Sequence, residues 1–156
     1  MTDTATPRAK PATARPRPPS AAGMAGLWLT CLAAMAAGLL VDTWGTPAAL
    51  LASECGAPGT LAQLAWRHAA LMPVSSAAMA LAALLPWAPR QARPPPLAGR
   101  VLCLVLMALG MVLGARLGVQ TAQTLGAAPF GGMILGMAAG MAAALLPVGA
   151  VSAWRR

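Results

Sequence analysis

Residues 97–119 read LAGRVLCLVLMALGMVLGARLGV, and no charged side chain interrupts the positions between Arg100 and Arg116. A run of about 20 apolar residues is long enough to cross the hydrocarbon core of a bilayer as an α-helix. This stretch therefore predicts a membrane-spanning helix. Three further stretches have the same character, at residues 21–41, 64–88 and 129–152.

The composition of the whole chain points to the same class of protein. Of its 156 residues, 58% are hydrophobic and only 9% are charged, and the mean hydropathy is +0.68. Soluble domains carry about 25% charged residues, so this chain has too few charges to cover a water-facing surface. We therefore exclude a soluble enzyme fold and expect an all-α bundle of four transmembrane helices over residues 21–154, with an outer loop at 42–60.

The basic residues predict the orientation of these helices. They form three blocks: Arg8, Lys10, Arg15 and Arg17; Arg90, Arg93 and Arg100; and Arg155 and Arg156. Four spans place all three blocks on one side, which the positive-inside rule assigns to the cytoplasm. We therefore expect both termini in the cytoplasm of a bacterium and a multi-pass protein of its inner membrane. The basic residues behind the net charge of +8 are then explained by the orientation of the helices in the membrane. We therefore expect no nucleic-acid partner.

Several local signals refine this outline. Residues 1–20 are rich in Pro, Thr and Arg and are expected to be a disordered basic tail. Thr60 is a candidate N-cap for the second span, and Thr46-Pro47 predicts a short helix in the outer loop, on the membrane surface. Three cysteines without a CxxC motif imply no disulfide framework.

Glycines recur every fourth residue in the last two spans. A row of glycines on one helix face lets a neighbouring backbone approach closely. The two rows either pack against each other, because the spans are consecutive and antiparallel, or one row faces a second copy or a partner protein. They comprise Gly110, Gly114 and Gly118 in the third span and Gly132, Gly136 and Gly140 in the fourth.

Sulfur side chains recur at helical spacing in every predicted span. Thioether, thiolate and imidazole groups are the ligands that favour Cu(I) over harder cations. His68 lies one helical turn before Met72, so both side chains could reach a single ion. The alternative is that the methionines fill gaps in an apolar core. The candidate metal ligands are His68, Met72, Met79, Met107, Met111, Met137 and Met141.

The segment RHAALMPVSSAAM (Arg67–Met79) resembles the Met/Pro signature of bacterial predicted metal-binding integral membrane proteins. The resemblance rests on Met72, Pro73 and Met79 and covers about a dozen residues. It implies a metal-binding role for the two methionines. His68 is an addition of this sequence to that pattern.

A polar cluster is expected at the outer ends of the helices, where Asp42, Glu54, Arg67 and Arg116 would meet. Ionisable side chains at membrane depth are costly and are usually paired. Pairing of Asp42 with one of the two arginines is the simplest arrangement. The alternative is that Arg116 extends to the headgroups while Arg67 faces water. Cys55 joins a site beside His68, lies free in the loop, or cross-links two copies of the chain.

These features lead to a functional hypothesis with two rivals. The first is a small membrane protein that binds or passes a soft metal ion, Cu(I). The second is a non-catalytic assembly or accessory subunit, whose glycine and methionine rows contact a second copy or another member of a membrane complex. A small-solute permease has less support, because the predicted core holds few polar groups. We expect no enzymatic activity from this chain alone.

Overall fold

The computed structural model describes residues 21–85 and 96–154, and all regular structure in these ranges is α-helical. The predicted tail at 1–20 and the last part of the predicted second span, at 86–88, lie outside the described residues. The described residues form six helices: α1 (Ala21–Gly45), α2 (Ala48–Gly56), α3 (Leu61–Leu71), α4 (Pro73–Leu84), α5 (Leu97–Thr124) and α6 (Pro129–Trp154).

Three helices, α1, α5 and α6, are long and apolar enough to cross a membrane. At about 1.5 Å per residue, the 25 residues of α1 exceed the roughly 30 Å of a hydrocarbon core. The sequence predicted the starts of these helices, because each follows a polar or proline-containing segment. Their ends extend beyond the predicted ones, since α1 continues to Gly45 and α5 to Thr124.

The second predicted span is not a single helix, so the prediction of one continuous helix over residues 64–88 was wrong. The structure has α3 and α4 there, separated at Met72, whose φ and ψ are −128° and 61°. Pro73 has no N–H to donate to the preceding turn. At 12 residues, α4 is about 18 Å long and cannot cross a hydrocarbon core by itself.

The outer loop expected at residues 42–60 is also largely helical. α1 takes up its first residues, and α2 follows Pro47 and buries Leu51, Ala52 and Cys55. α2 packs on α5 and α6, so its apolar side faces the protein. The predicted N-cap of α3 is confirmed, because Thr60 and Gln63 form a reciprocal capping box.

The glycine rows of α5 and α6 face each other, from Gly110 to Gly118 on one helix and from Gly132 to Gly140 on the other. A Cβ atom built on Gly114 would overlap the carbonyl oxygen of Gly136, and the same holds for Gly110 with Gly140 and for Gly118 with Gly132. This contact is the first of the two arrangements that the glycine spacing predicts. It makes α5 and α6 the most closely joined pair of helices.

A methyl group at Gly136 is expected to push α5 and α6 apart. The atom that it would meet is the backbone oxygen of Gly114, which cannot rotate away. We predict that Gly136→Ala lowers the free energy of unfolding by about 1–3 kcal/mol, measured by thermal unfolding in detergent. Gly131→Ala, in the same helix with no atom within 4 Å of the new methyl group, is the matched control. Equal stabilities of the two variants would contradict the packing.

Candidate metal-binding core

The break between α3 and α4 is held by a carboxylate from α1. Asp42 accepts hydrogen bonds from the backbone N–H groups of Val74, at 3.1 Å, and Ser75, at 2.9 Å. These N–H groups lie in the first turn of α4, where negative charge is favoured by the helix dipole. Asp42 is only 7% exposed. Its two oxygens therefore replace the carbonyl partners that a continuous helix would have supplied.

The close approach of α1 to α4 depends on Gly38, one helical turn before Asp42. A Cβ atom on Gly38 would overlap the backbone of Ser75. Only a residue without a side chain allows the two backbones to meet here and brings the carboxylate within reach of the N–H groups.

Of the two arrangements open for the polar cluster, the pairing of Asp42 with Arg67 or Arg116 does not occur among the described residues. The backbone N–H groups at the helix break satisfy both of its oxygens. The ion pair in the described part of the chain joins Arg67 Nη1 to Glu54 Oε2 at 3.9 Å, and both side chains are about 40% exposed. Arg116 is partly buried and forms no ion pair with either of these described acids.

The other end of α4 is also bound by a charged side chain. Arg100 Nη1 donates a hydrogen bond to the carbonyl oxygen of Leu84 at 3.2 Å, and the Arg100 side chain is buried. A cation is favourable at a helix C-terminus, where carbonyl groups lack partners. The sequence showed Arg100 only as a member of a basic block. Nothing in its local pattern indicated this contact.

The two acidic residues that the structure describes, Asp42 and Glu54, should contribute very differently to the free energy of unfolding. We predict that Asp42→Ala lowers the free energy of unfolding by about 3 kcal/mol, because two buried N–H groups lose a charged acceptor. Glu54→Ala, which breaks a half-exposed ion pair, should cost less than about 1 kcal/mol. Thermal unfolding in detergent measures both. A change at Asp42 no larger than that at Glu54 would show that the carboxylate does not hold the break.

All of the described sulfur side chains are buried. Each methionine from α1 to α6 is at most 7% exposed, and the three cysteines are free thiols and at most 8% exposed. These side chains belong to one continuous cluster that draws on five helices and the α3–α4 break. The cluster contains Met24, Met35, Met72, Met79, Met107, Met111, Met133, Met137 and Met141, with Cys31, Cys55 and Cys103.

Leucine has the opposite distribution on α5 and α6. These two helices bury five methionines but only one leucine, Leu145. Most of their leucines lie instead on the outer surface, where a membrane protein meets lipid, and Leu104 and Leu106 are half-buried. The exposed leucines on α5 and α6 are Leu97, Leu102, Leu109, Leu113, Leu117, Leu135 and Leu146.

The structure brings the six predicted methionine ligands into this single cluster and places His68 at its border. His68 is 4% exposed, and its Nδ1 lies 3.9 Å from the sulfur of Cys55. The sequence left open whether Cys55 joins a site beside His68, because its proximity to His68 depends on the packing of α2 against α3. Among the described residues, no group of three or more His, Cys, Asp and Glu side chains is placed to hold a metal. A metal ion here would therefore need thioether ligands.

The environment of Cys55 keeps its thiol protonated. Burial and, secondarily, the negative charge of Glu54 raise the pKa of Cys55 to about 11. The thiolate is the reactive form of cysteine, so little of it exists at neutral pH.

We predict that iodoacetamide alkylates Cys55 at pH 8 at least roughly a hundredfold more slowly than free cysteine, whose pKa is about 8.5. Because the pKa is raised, the rate should keep rising with pH to about 11. Mass spectrometry of a Cys31→Ala/Cys103→Ala chain isolates this thiol, and the same chain in denaturant is the control. A rate that levels off near the pKa of free cysteine would contradict the buried placement.

Over residues 21–85 and 96–154, the fold is all-helical, with three helices suited to cross a membrane and a sulfur-rich interior. Comparisons of the chain with protein-family models, with curated proteins and with solved structures find no match.

Proposed function

We propose that this is a small integral protein of a bacterial inner membrane that binds or passes a soft metal ion, Cu(I), through its methionine core. In this proposal the thioethers inside the bundle are the ligands, and copper is the bound ion or cargo. Met79, Met107, Met111, Met137 and Met141 would line its path, with His68 and Met72 at the entrance.

The observation that carries the proposal is the separation of methionine from leucine. Both side chains are apolar and similar in volume, so a core that only needed filling could use either. On α5 and α6, five methionines are buried while leucine predominates on the exposed surface. Thioether sulfur is a soft ligand suited to Cu(I), whereas leucine offers no ligand at all. The interior therefore has the chemistry that a soft ion needs.

The proposed topology treats α3 and α4 together as the second of four spans. α4 is too short to cross alone, and the 11 residues of α3 supply the missing length if the two helices continue in one direction. An even number of spans keeps the three basic blocks on one side of the membrane. That side would be the cytoplasm by the positive-inside rule, with both termini there.

The rival proposal, an accessory subunit of a membrane complex, has one observation in its favour. An open apolar groove of about 1020 Å³ runs along α5 and α6, and its lining includes Leu113, Leu117 and Leu135. A second copy or a partner helix could occupy this groove. The glycine rows pack against each other, and the same glycines also line this groove, so one side of the rows stays open to a partner.

Cu(I) affinity of the detergent-purified chain tests the metal proposal, by competition with a chromophoric chelator under reducing conditions. We expect stoichiometric binding that Met107→Leu/Met137→Leu weakens at least tenfold, because two thioether ligands are replaced at nearly constant volume. Leu113→Met/Leu135→Met is the matched control, since it adds thioethers only to the exposed face and should leave the affinity unchanged. Absence of binding, or equal binding by the core variant, would refute the proposal.

A further inference from the structure

Two consecutive residues of α2 pair with two consecutive residues of α3. Glu54 forms the ion pair with Arg67, and both side chains are about 40% exposed. Cys55 contacts His68, and both of these side chains are buried. The outer pair, Glu54 and Arg67, is therefore charged and partly exposed. The inner pair, Cys55 and His68, is buried and consists of a soft and a borderline metal ligand.

The separation within the inner pair also leaves room for a metal ion. The Cys55 sulfur and His68 Nδ1 are 3.9 Å apart, at the long end of hydrogen bonds that involve sulfur. An ion bound at about 2.3 Å from sulfur and about 2.0 Å from nitrogen, the distances known for zinc, would separate these atoms by roughly 3.5 Å at a tetrahedral angle and roughly 4.3 Å in a line. The observed distance lies between these limits, near a trigonal arrangement.

A third residue with a soft side chain, Met72, follows His68 along the chain. Met72 is one helical turn after His68, is 1% exposed, and belongs to the same buried cluster as Cys55. It occupies the break between α3 and α4, where its own N–H bonds to the His68 carbonyl. The break at Met72 therefore lies between the Cys55–His68 pair and the methionines farther along α4, of which Met79 is the first.

We infer that Cys55, His68 and Met72 form an entry site that takes one Cu(I) ion and delivers it to the methionine core. This inference rests on the proposed function, since Cu(I) is the ion considered there. Binding replaces the thiol proton of Cys55 by the ion, the proton leaves to solvent, and no electron is transferred. The Glu54 carboxylate, exposed above the site, attracts the cation.

X-ray absorption of the full-length chain loaded with one equivalent of Cu(I) tests the site directly. We expect a ligand set that contains sulfur together with one imidazole nitrogen. Because the spectrum is taken on the unaltered protein, it does not depend on any variant folding. A first equivalent bound by sulfur alone would overturn the inference.

Affinities of variants provide the second test. We expect Cys55→Ser and His68→Gln each to weaken binding of the first equivalent at least tenfold. Cys103→Ser, a buried thiol on α5 outside the α2–α3 pairs, should leave it within twofold. Circular dichroism and gel filtration verify that each variant is folded.

The two proposals fail in distinguishable ways. If Cys55→Ser and His68→Gln bind the first equivalent as the unaltered chain does, while Met107→Leu/Met137→Leu is weakened, the entry site is wrong and the proposed function stands. If only the entry-site variants are weakened, the entry site stands and the methionine core is not the path. A chain that binds no Cu(I) overturns both.

Discussion

The hydrogen bonds from the first turn of α4 to the Asp42 carboxylate hold the break between α3 and α4. An interrupted helix leaves N–H groups without partners, and in an apolar environment each such group costs several kcal/mol. Asp42 removes this cost for Val74 and Ser75, which permits the chain to break at Met72. The break separates α3 from α4, so that α3 can pack against α2 and bring His68 beside Cys55.

The stability of this arrangement is divided between two different kinds of contact. α1 and α4 are joined by a polar cap and by the backbone contact at Gly38, whereas α5 and α6 are joined by interlocking glycines. The sulfur cluster lies between these two pairs and fills the interior with flexible thioethers. Close backbone contacts at glycines therefore help to hold each helix pair together. The flexible methionine side chains occupy the space between the pairs, in which an ion would have to be accommodated.

The sequence predicted those features that depend on local patterns. The starts of α5 and α6, the capping box at Thr60 and the helix after Pro47 all follow from a few neighbouring residues. The break at Met72 was missed because its partner, Asp42, lies 32 residues before Val74, and apolar periodicity does not report such a contact. The Arg100–Leu84 contact was missed for the same reason, and the Cys55–His68 contact was left as one alternative, since each joins two helices whose relative placement is set by tertiary packing.

The charges that remain in the interior also bear on which ion the proposed function could accept. The chain has three acidic residues; Asp42 is bound to backbone N–H groups, and Glu54 is half exposed. Arg100 is bound to a carbonyl oxygen.

The cost of moving an ion into a medium of low dielectric constant is large and rises with the square of its charge. A divalent ion would need carboxylates that this core does not offer, whereas neutral thioethers suit a monovalent soft ion. Selectivity for Cu(I) would then follow from the neutrality of the core as much as from its sulfur.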